Sequence, residues 1–243
     1  MVLVVATGGE WGETPEDLAA GETLAERRAA EVAASAAALG IARVAFLGYQ
    51  DSGMTGWEQN AHPESFINAP LDEAAARLAA ILKEEQAATL TTYDWHGGYG
   101  HPDHVAVHRV GARAAQLAAT KFVYEATMNR DAMLQFFKEL QKAGVDPGWD
   151  PESGTDDGNP VGTPAADLTT AIDVSAFIAS KKASMAAHRS QISDTSIFQK
   201  LPDDVFATAF GTEWFRQVTP APDTVAGTVG SAGPSQHWLE GLG

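Results

Sequence analysis

The sequence predicts an α/β fold in which a mostly parallel sheet is covered by helices. Three observations predict it. The first two-thirds of the chain alternates apolar runs of strand length with helical stretches, joined by short connections. With 243 residues, 44% of them apolar, the chain suffices for one full hydrophobic core. Its least ordinary residues fall in loops that follow strands, where ligands of open parallel sheets bind.

Taken in order, Val2 to Ala6 reads as a buried parallel strand, although it begins directly after the first residue. A Gly/Glu-rich loop leads to a helix from about Leu24 to Leu39, with Leu24, Val32 and several alanines on its apolar side and Gly40 as its stop. Val44 to Leu47 is a second strand, and a long polar loop follows to Ala69. The helix from Leu71 to Glu85 spaces Leu71, Ala75, Leu78 and Leu82 along one face, and Ala88 to Tyr93 forms a third strand. After the loop 94–104 comes a helix carrying Val107, Val110, Ala114 and Leu117, then a fourth strand, Phe122 to Ala126. Met133 to Leu140 continues as helix, and Gly144 to Pro164, rich in Gly, Pro and Asp, reads as a surface loop or lid. Thr169 to Val174 is expected as an edge strand, with Ser175 to Ile192 and Val205 to Phe215 as helices. Phe136, Phe137, Met185, Trp214 and Phe215 are expected in the core. The domain is expected to span 1–217, and 218–243 to form a flexible tail.

Composition excludes several functions. Sixteen basic against thirty-two acidic residues give a formal charge of −16, which repels nucleic acid and anionic membrane. There is no cysteine, so a metal must be held by His and carboxylate. No apolar run approaches the roughly 20 residues of a membrane helix, and the N-terminus lacks the basic start of a signal peptide. The glycines of Thr7-Gly8-Gly9-Glu10 lack the lysine of a phosphate loop, which argues against a nucleotide-dependent protein.

The strongest candidate site is His101-Pro102-Asp103-His104, preceded by Gly97-Gly98-Tyr99-Gly100 and followed at once by a helix. Pro102 suits a first helical position, and two imidazoles three residues apart at a helix start can address one ion or one reacting group. The helix dipole disfavours imidazolium there and biases both rings towards the neutral, ligating form. Four of the seven histidines fall between His96 and His108, which sets this segment apart from an isolated His-x-x-His. Asp51, in the glycine-bounded turn 48–53, reads equally as an Asx-turn or a substrate contact. Spacing alone makes Arg28 a solvated helix charge, His62-Pro63-Glu64 a turn, and His188 part of a packed or surface polar cluster.

These residues resemble the LmbE-like (PIG-L) family of zinc-dependent N-acetylglucosaminyl deacetylases. The resemblance runs from the first strand to about Arg216, on Thr7-Gly8-Gly9-Glu10, Arg28-Ala29-Ala30-Glu31, Leu47-Gly48-Tyr49-Gln50-Asp51-Ser52-Gly53-Met54, and Thr92-Tyr93-Asp94 with Gly97 to His104. It is closest to actinobacterial members, including those of mycothiol biosynthesis. It implies a Rossmann-like three-layer sandwich and metal-activated water that hydrolyses the acetamide of an N-acetylglucosamine-type sugar or conjugate, with Zn²⁺ or another divalent metal as cofactor. By the resemblance His104 is a zinc ligand. His101 stabilises the oxyanion or protonates the leaving amine, Asp103 holds the geometry between them, and Arg28, Asp51 and Tyr99 contact the sugar or its carbonyl. It also implies a cytoplasmic homo-oligomer acting on a small N-acetylated sugar.

The sequence lacks the family's Ala-His-Pro-Asp-Asp-Glu motif, which supplies two of three zinc ligands and the general base. A first βα unit of about 30 residues is therefore expected to be missing, through a start assigned too far downstream or a true truncation. One imidazole does not hold catalytic zinc tightly, so the chain as written is expected to bind zinc poorly and to be impaired. The alternative is a catalytically inactive sugar-binding relative that keeps the crevice without the metal.

Overall fold

The computed structural model describes residues 1–142, 144, 154–155, 157–192 and 197–218. Along the chain run β1 (Val2–Thr7), α1 (Leu24–Ala38), β2 (Arg43–Tyr49), α2 (Leu71–Glu84), β3 (Thr89–Tyr93), α3 (Pro102–Ala118), β4 (Phe122–Thr127) and α4 (Arg130–Lys142). They are followed by β5 (Thr170–Asp173), α5 (Ile178–Ala187), α6 (Ile197–Lys200), α7 (Asp203–Phe210) and β6 (Thr212–Val218). These elements form two compact units. The expected tail 218–243 lies outside the described residues except for Val218, as do residues 145–153 and 156 of the loop 144–164.

The first unit holds Met1–Pro70 and Val174–Gly211. Within it β1 and β2 pair in parallel, Val2 opposite Arg43 and Val5 opposite Phe46. All six residues of β1 are half-buried, where a fully buried strand was expected, because β1 pairs with β2 alone among the described residues. Thr23 and Glu26 close a capping box at the start of α1, and Gly40, at φ +67°, ends it as expected. Its buried side carries not only Leu24 and Ala36 but also Glu31 and Ser35. The Ser35 and Ser184 hydroxyls lie 2.7 Å apart, joining α1 to α5. Glu31 accepts hydrogen bonds from the Ser190 amide at 2.7 Å and its hydroxyl at 2.6 Å. That double bond fits the shorter course of α5: the helix expected over Ser175 to Ile192 starts after a 3₁₀ turn at Ser175–Phe177 and ends at Ala187.

The second unit holds Leu71–Asp173 and Thr212–Gly243, and its four strands run in the order β3-β4-β6-β5. β3 and β4 are parallel, while β6 is antiparallel to both β4 and β5. The sheet of the described residues is therefore mixed and divided in two, not mostly parallel. The helix expected over Val205 to Phe215 is α7, which ends at Gly211, followed by strand β6. Thr212-Glu213-Trp214-Phe215-Arg216-Gln217-Val218 is rich in the β-branched and aromatic residues that strands prefer. β5 is the edge strand that was expected.

α2 buries Ala75, Leu78 and Leu82, but Leu71 at its start is exposed. α3 rests on β3 through Gly111, where a Cβ would come within 2.6 Å of Thr92 Oγ1, so only glycine permits this approach. Of the five residues expected in the core, Phe215 is buried; Phe136, Phe137, Met185 and Trp214 are half-buried. No helix among the described residues is long and apolar enough to cross a membrane.

Candidate active site

The loop between β3 and α3 is shaped from within by Asp94, which is buried. Its Oδ1 accepts from the amides of His96 at 3.2 Å and Gly98 at 2.9 Å, and its Oδ2 accepts from Thr127 Oγ1 on β4 at 2.6 Å. Gly97, at φ +62°, then turns the chain so closely under α3 that a Cβ would lie 2.5 Å from His104 Cβ. That contact makes glycine obligatory and seats His104 against the turn.

His101 is the N-cap of α3, and Pro102 takes the first helical position as expected. The Asp103 amide donates to His101 Nδ1 at 3.1 Å. An amide can only donate, so Nδ1 carries the lone pair, and the neutral ring bears its proton on Nε2. His104 is the converse: its Nδ1 lies 3.0 Å from the Gly97 carbonyl, which can only accept. His104 therefore carries its proton on Nδ1 and the lone pair on Nε2, the form in which imidazole binds a metal. The two ring centroids are 4.8 Å apart.

Aromatic rings fix His104 further. Tyr93 stacks on it at 4.4 Å and 7° between planes, and Tyr99 meets it edge-on at 5.1 Å. Burial, with Tyr99 adding to it, raises the Tyr93 phenol above its ordinary pKa, so Tyr93 is a neutral wall of the site. Asp103 is buried in the first turn of α3, and its backbone, through the bond to Nδ1, orients His101.

His96 is buried and lies with Nε2 2.8 Å from Asp157 Oδ2. The Thr155 hydroxyl, then Asn159 and His96, hold the Asp157 carboxyl well below the usual carboxylate range. The contact joins the 154–159 segment to the loop that carries His101. Sequence spacing gives no hint of it, since the partners lie 61 residues apart.

The other two predicted residues belong to the first unit. Asp51 is buried in the Asx-turn that its sequence allowed: Oδ1 accepts from Gly53 N at 2.8 Å, while Oδ2 accepts from Trp11 N at 3.3 Å. Glu10 Oε2 accepts from Asp51 N at 3.0 Å and ties the same two loops together. Arg28 is not a solvated helix charge. Its guanidinium crosses the 9–12 loop so closely that a Cβ at Gly9 or Gly12 would collide with it. The structure thus groups His101, Asp103, His104 and Tyr99 in one unit, and Arg28 with Asp51 in the other. His62 accepts from the Glu64 amide in a turn, as expected.

The sequence resemblance implies a metal held by His104, whose Nδ1 faces the Gly97 carbonyl. Among the described residues no group of three or more His, Asp or Glu side chains is placed to hold a metal ion. They do not by themselves make the three-ligand set of a catalytic zinc.

Comparison with known proteins decides the family. Residues 1–115 match the PIG-L family, described as GlcNAc-PI de-N-acetylase. The 1D-myo-inositol 2-acetamido-2-deoxy-alpha-D-glucopyranoside deacetylase of Acidothermus cellulolyticus is 39% identical over 230 residues, covering 88% of this chain and 77% of the relative. The chain belongs to the PIG-L family. A Streptomyces griseus deacetylase of the same name is 35% identical over 93% of the chain and 77% of its own length. Among solved structures, N,N'-diacetylchitobiose deacetylase from Pyrococcus horikoshii matches with a TM-score of 0.54 at 20% identity, covering 92% of this chain and 76% of that one. The A40926 pseudoaglycone deacetylase Dbv21 matches at 0.51 and 15%, covering 90% and 86%. These two likenesses concern the fold. Family membership makes the protein an N-deacetylase, a hydrolase of a linear amide bond, in agreement with the sequence reading.

Proposed function

We propose that this PIG-L protein hydrolyses the acetamide of an N-acetylglucosaminyl conjugate, of which N-acetylglucosaminyl-inositol is the form its relatives' names describe. The observation that carries the reading is that His101 Nδ1 accepts from the Asp103 amide while His104 Nδ1 lies against the Gly97 carbonyl, which assigns opposite tautomers to the two rings. Hydrolysis of an acetamide needs a hydrogen-bond donor aimed at the oxygen that becomes negative when the carbonyl is attacked. His101 Nε2–H is such a donor. Because the Asp103 amide occupies Nδ1, and the N-terminus of α3 disfavours positive charge, His101 is suited to oxyanion stabilisation more than to donating a proton as imidazolium.

His104 is a ligand for a divalent ion in this reading, and such an ion activates water as a Lewis acid when bound. Asp103 positions His101, and Tyr99 flanks both rings. Further donors belong to the mechanism than those placed among the described residues. The half-exposed, apolar β1 supports the expectation of an additional βα unit beside it within a Rossmann-like sandwich. The 243-residue polypeptide alone is expected to retain well under one zinc per chain after dialysis. Stoichiometric zinc would contradict that expectation. The reading includes a cytoplasmic homo-oligomer, and the charge of −16 argues against nucleic acid or anionic membrane as partner.

Acetate release from N-acetylglucosaminyl-inositol, measured on the protein purified from its native source, tests the function. The expected result is one acetate per sugar. The incomplete donor set favours one other reading, a sugar-binding relative without catalysis. Saturable sugar binding with no acetate released would establish that reading and overturn this one.

A further inference from the structure

His96 is buried on the loop that presents His101, and the hydrolysis described above makes no use of it. Its polar atoms reach three partners. The amide donates to Asp94 Oδ1 at 3.2 Å, the carbonyl accepts from the Gly100 amide at 2.8 Å, and ring Nε2 lies 2.8 Å from Asp157 Oδ2. Asp157, held well below the usual carboxylate range by the Thr155 hydroxyl, can only accept, so Nε2 donates. Nδ1 is buried and has no hydrogen-bond partner among the described residues, so the bond to Asp157 is what anchors the ring. Asp157 is anchored in turn. Residues 157–163 return to the end of β4, where the Thr163 amide donates to the Met128 carbonyl at 2.8 Å and Arg130 Nε donates to the Val161 carbonyl at 3.1 Å. The Thr163 and Thr127 hydroxyls lie 2.9 Å apart, and Thr127 donates to Asp94 Oδ2 at 2.6 Å. Asp94, His96, Asp157, Thr163 and Thr127 thus close a ring of contacts around the 94–100 turn, all within the second unit. Gly100, at φ +88°, fits against the pair: a Cβ there would be 2.9 Å from His96 Nε2 and 3.1 Å from Asp157 Oδ2.

We propose that Asp157, acting through His96, is a positioning residue of the deacetylase: it fixes the 96–100 turn so that His101, the next residue, presents its Nε2–H at one place. Asp94 holds the His96 backbone, Asp157 holds its side chain, and the Gly100 amide closes on the carbonyl between them. A donor serves a developing oxyanion only if it stays within about 0.5 Å of the productive position, and a misplacement of about 1 Å can cost about a hundredfold in rate. Asp157 therefore needs no contact with substrate to affect turnover. The inference rests on the deacetylase reading for the role of His101, whereas the hold of Asp157 on the turn is independent of any reaction.

Amide hydrogen exchange of the full chain, compared among the wild type, D157A and D157N, tests the hold on the turn, and acetate release from N-acetylglucosaminyl-inositol by the same proteins tests its consequence. D157A is expected to speed exchange at Gly100 about tenfold or more while the β3 and β4 amides stay within about twofold of wild type. D157N, whose side-chain oxygen still accepts from Nε2–H, is expected to stay within about threefold of wild type at Gly100. In acetate release D157A is expected to lower kcat about ten- to a hundredfold with KM within about twofold, and D157N to recover most of the loss. Unchanged exchange at Gly100 in D157A overturns the proposal. So does an equal rise at the β4 amides, which would mark a general loss of stability, and so does a D157N as defective as D157A. Faster exchange at Gly100 with unchanged kcat overturns it as well, because the turn would then not govern His101. A wild type that releases no acetate, with Gly100 exchange still dependent on Asp157, overturns the deacetylase reading and leaves the anchored turn in place.

Discussion

His101 accepts a hydrogen bond at Nδ1 from the Asp103 amide, whereas His104, three residues on, has its Nδ1 against the Gly97 carbonyl. One ring thus carries Nε2–H and the other an Nε2 lone pair, as these two backbone bonds require. A donor suited to a developing oxyanion and a ligand suited to a cation are set side by side, their ring centroids 4.8 Å apart.

If His101 acts as a neutral donor, a neutral amide should replace it in part. H101A is expected to lower kcat by about 10²–10³, and H101Q to recover about tenfold of that loss, at unchanged KM. Equal kcat values for the two variants, or an acidic limb in kcat that vanishes with His101, would indicate proton transfer instead. Steady-state kinetics across pH on the purified variants reads both.

Gly97 should not tolerate a side chain. G97A places a methyl against His104 Cβ at a positive φ, so a loss of about 2 kcal/mol or more of stability is expected, together with loss of activity. Urea unfolding of the variant measures it, and a shift under about 0.5 kcal/mol would show that α3 moves aside easily.

The buried Glu31 carboxylate depends on Ser190, on the segment that follows α5. S190A removes the hydroxyl bond but not the amide bond, and is expected to cost about 1–2 kcal/mol. E31A leaves two donors without their acceptor and is expected to cost about 2–4 kcal/mol. Equal and small effects in chemical denaturation would show that α1 and the 188–190 turn are not coupled through this bond.

His188 gives the first unit a pH dependence. Burial, opposed by Glu31 and reinforced by Arg28, lowers its pKa below the ordinary 6.5, so the folded state binds the proton less readily than the unfolded chain. Its stability contribution is therefore intact above about pH 7 and declines as pH falls through 6.5 towards the lower folded value. Thermal unfolding at about pH 7.5 and pH 5.5 should show a smaller decline in H188Q than in the wild type. An identical decline would remove His188 from the account.

Much of this was legible in the chain because it is written locally. Gly40, Pro102 and the spacing of Ala75, Leu78 and Leu82 mark elements by short-range chemistry, and the observed helices follow them. Trp214-Phe215 misled because two adjacent aromatics fit a helix face as readily as a strand; only pairing with β4 and β5 decides between them. The division of the sheet and the half-exposed β1 depend on strand neighbours that no local pattern names. His101 and His104 stood out by spacing, but their proton positions required the Asp103 amide and the Gly97 carbonyl to be placed. Arg28 was indistinguishable from a surface charge until Gly9 and Gly12 were seen against its guanidinium. Glu31 and Asp157 find partners 159 and 61 residues away, beyond any periodicity argument.

The most direct test of the division of labour between the two imidazoles is a long-range ¹H–¹⁵N correlation spectrum of the ¹⁵N-histidine-labelled, metal-free protein at about pH 7.5, assigned with H101Q and H104Q. The account predicts the Nε2–H tautomer for His101 and the Nδ1–H tautomer for His104. The same tautomer at both positions, or an imidazolium at His101, would contradict it.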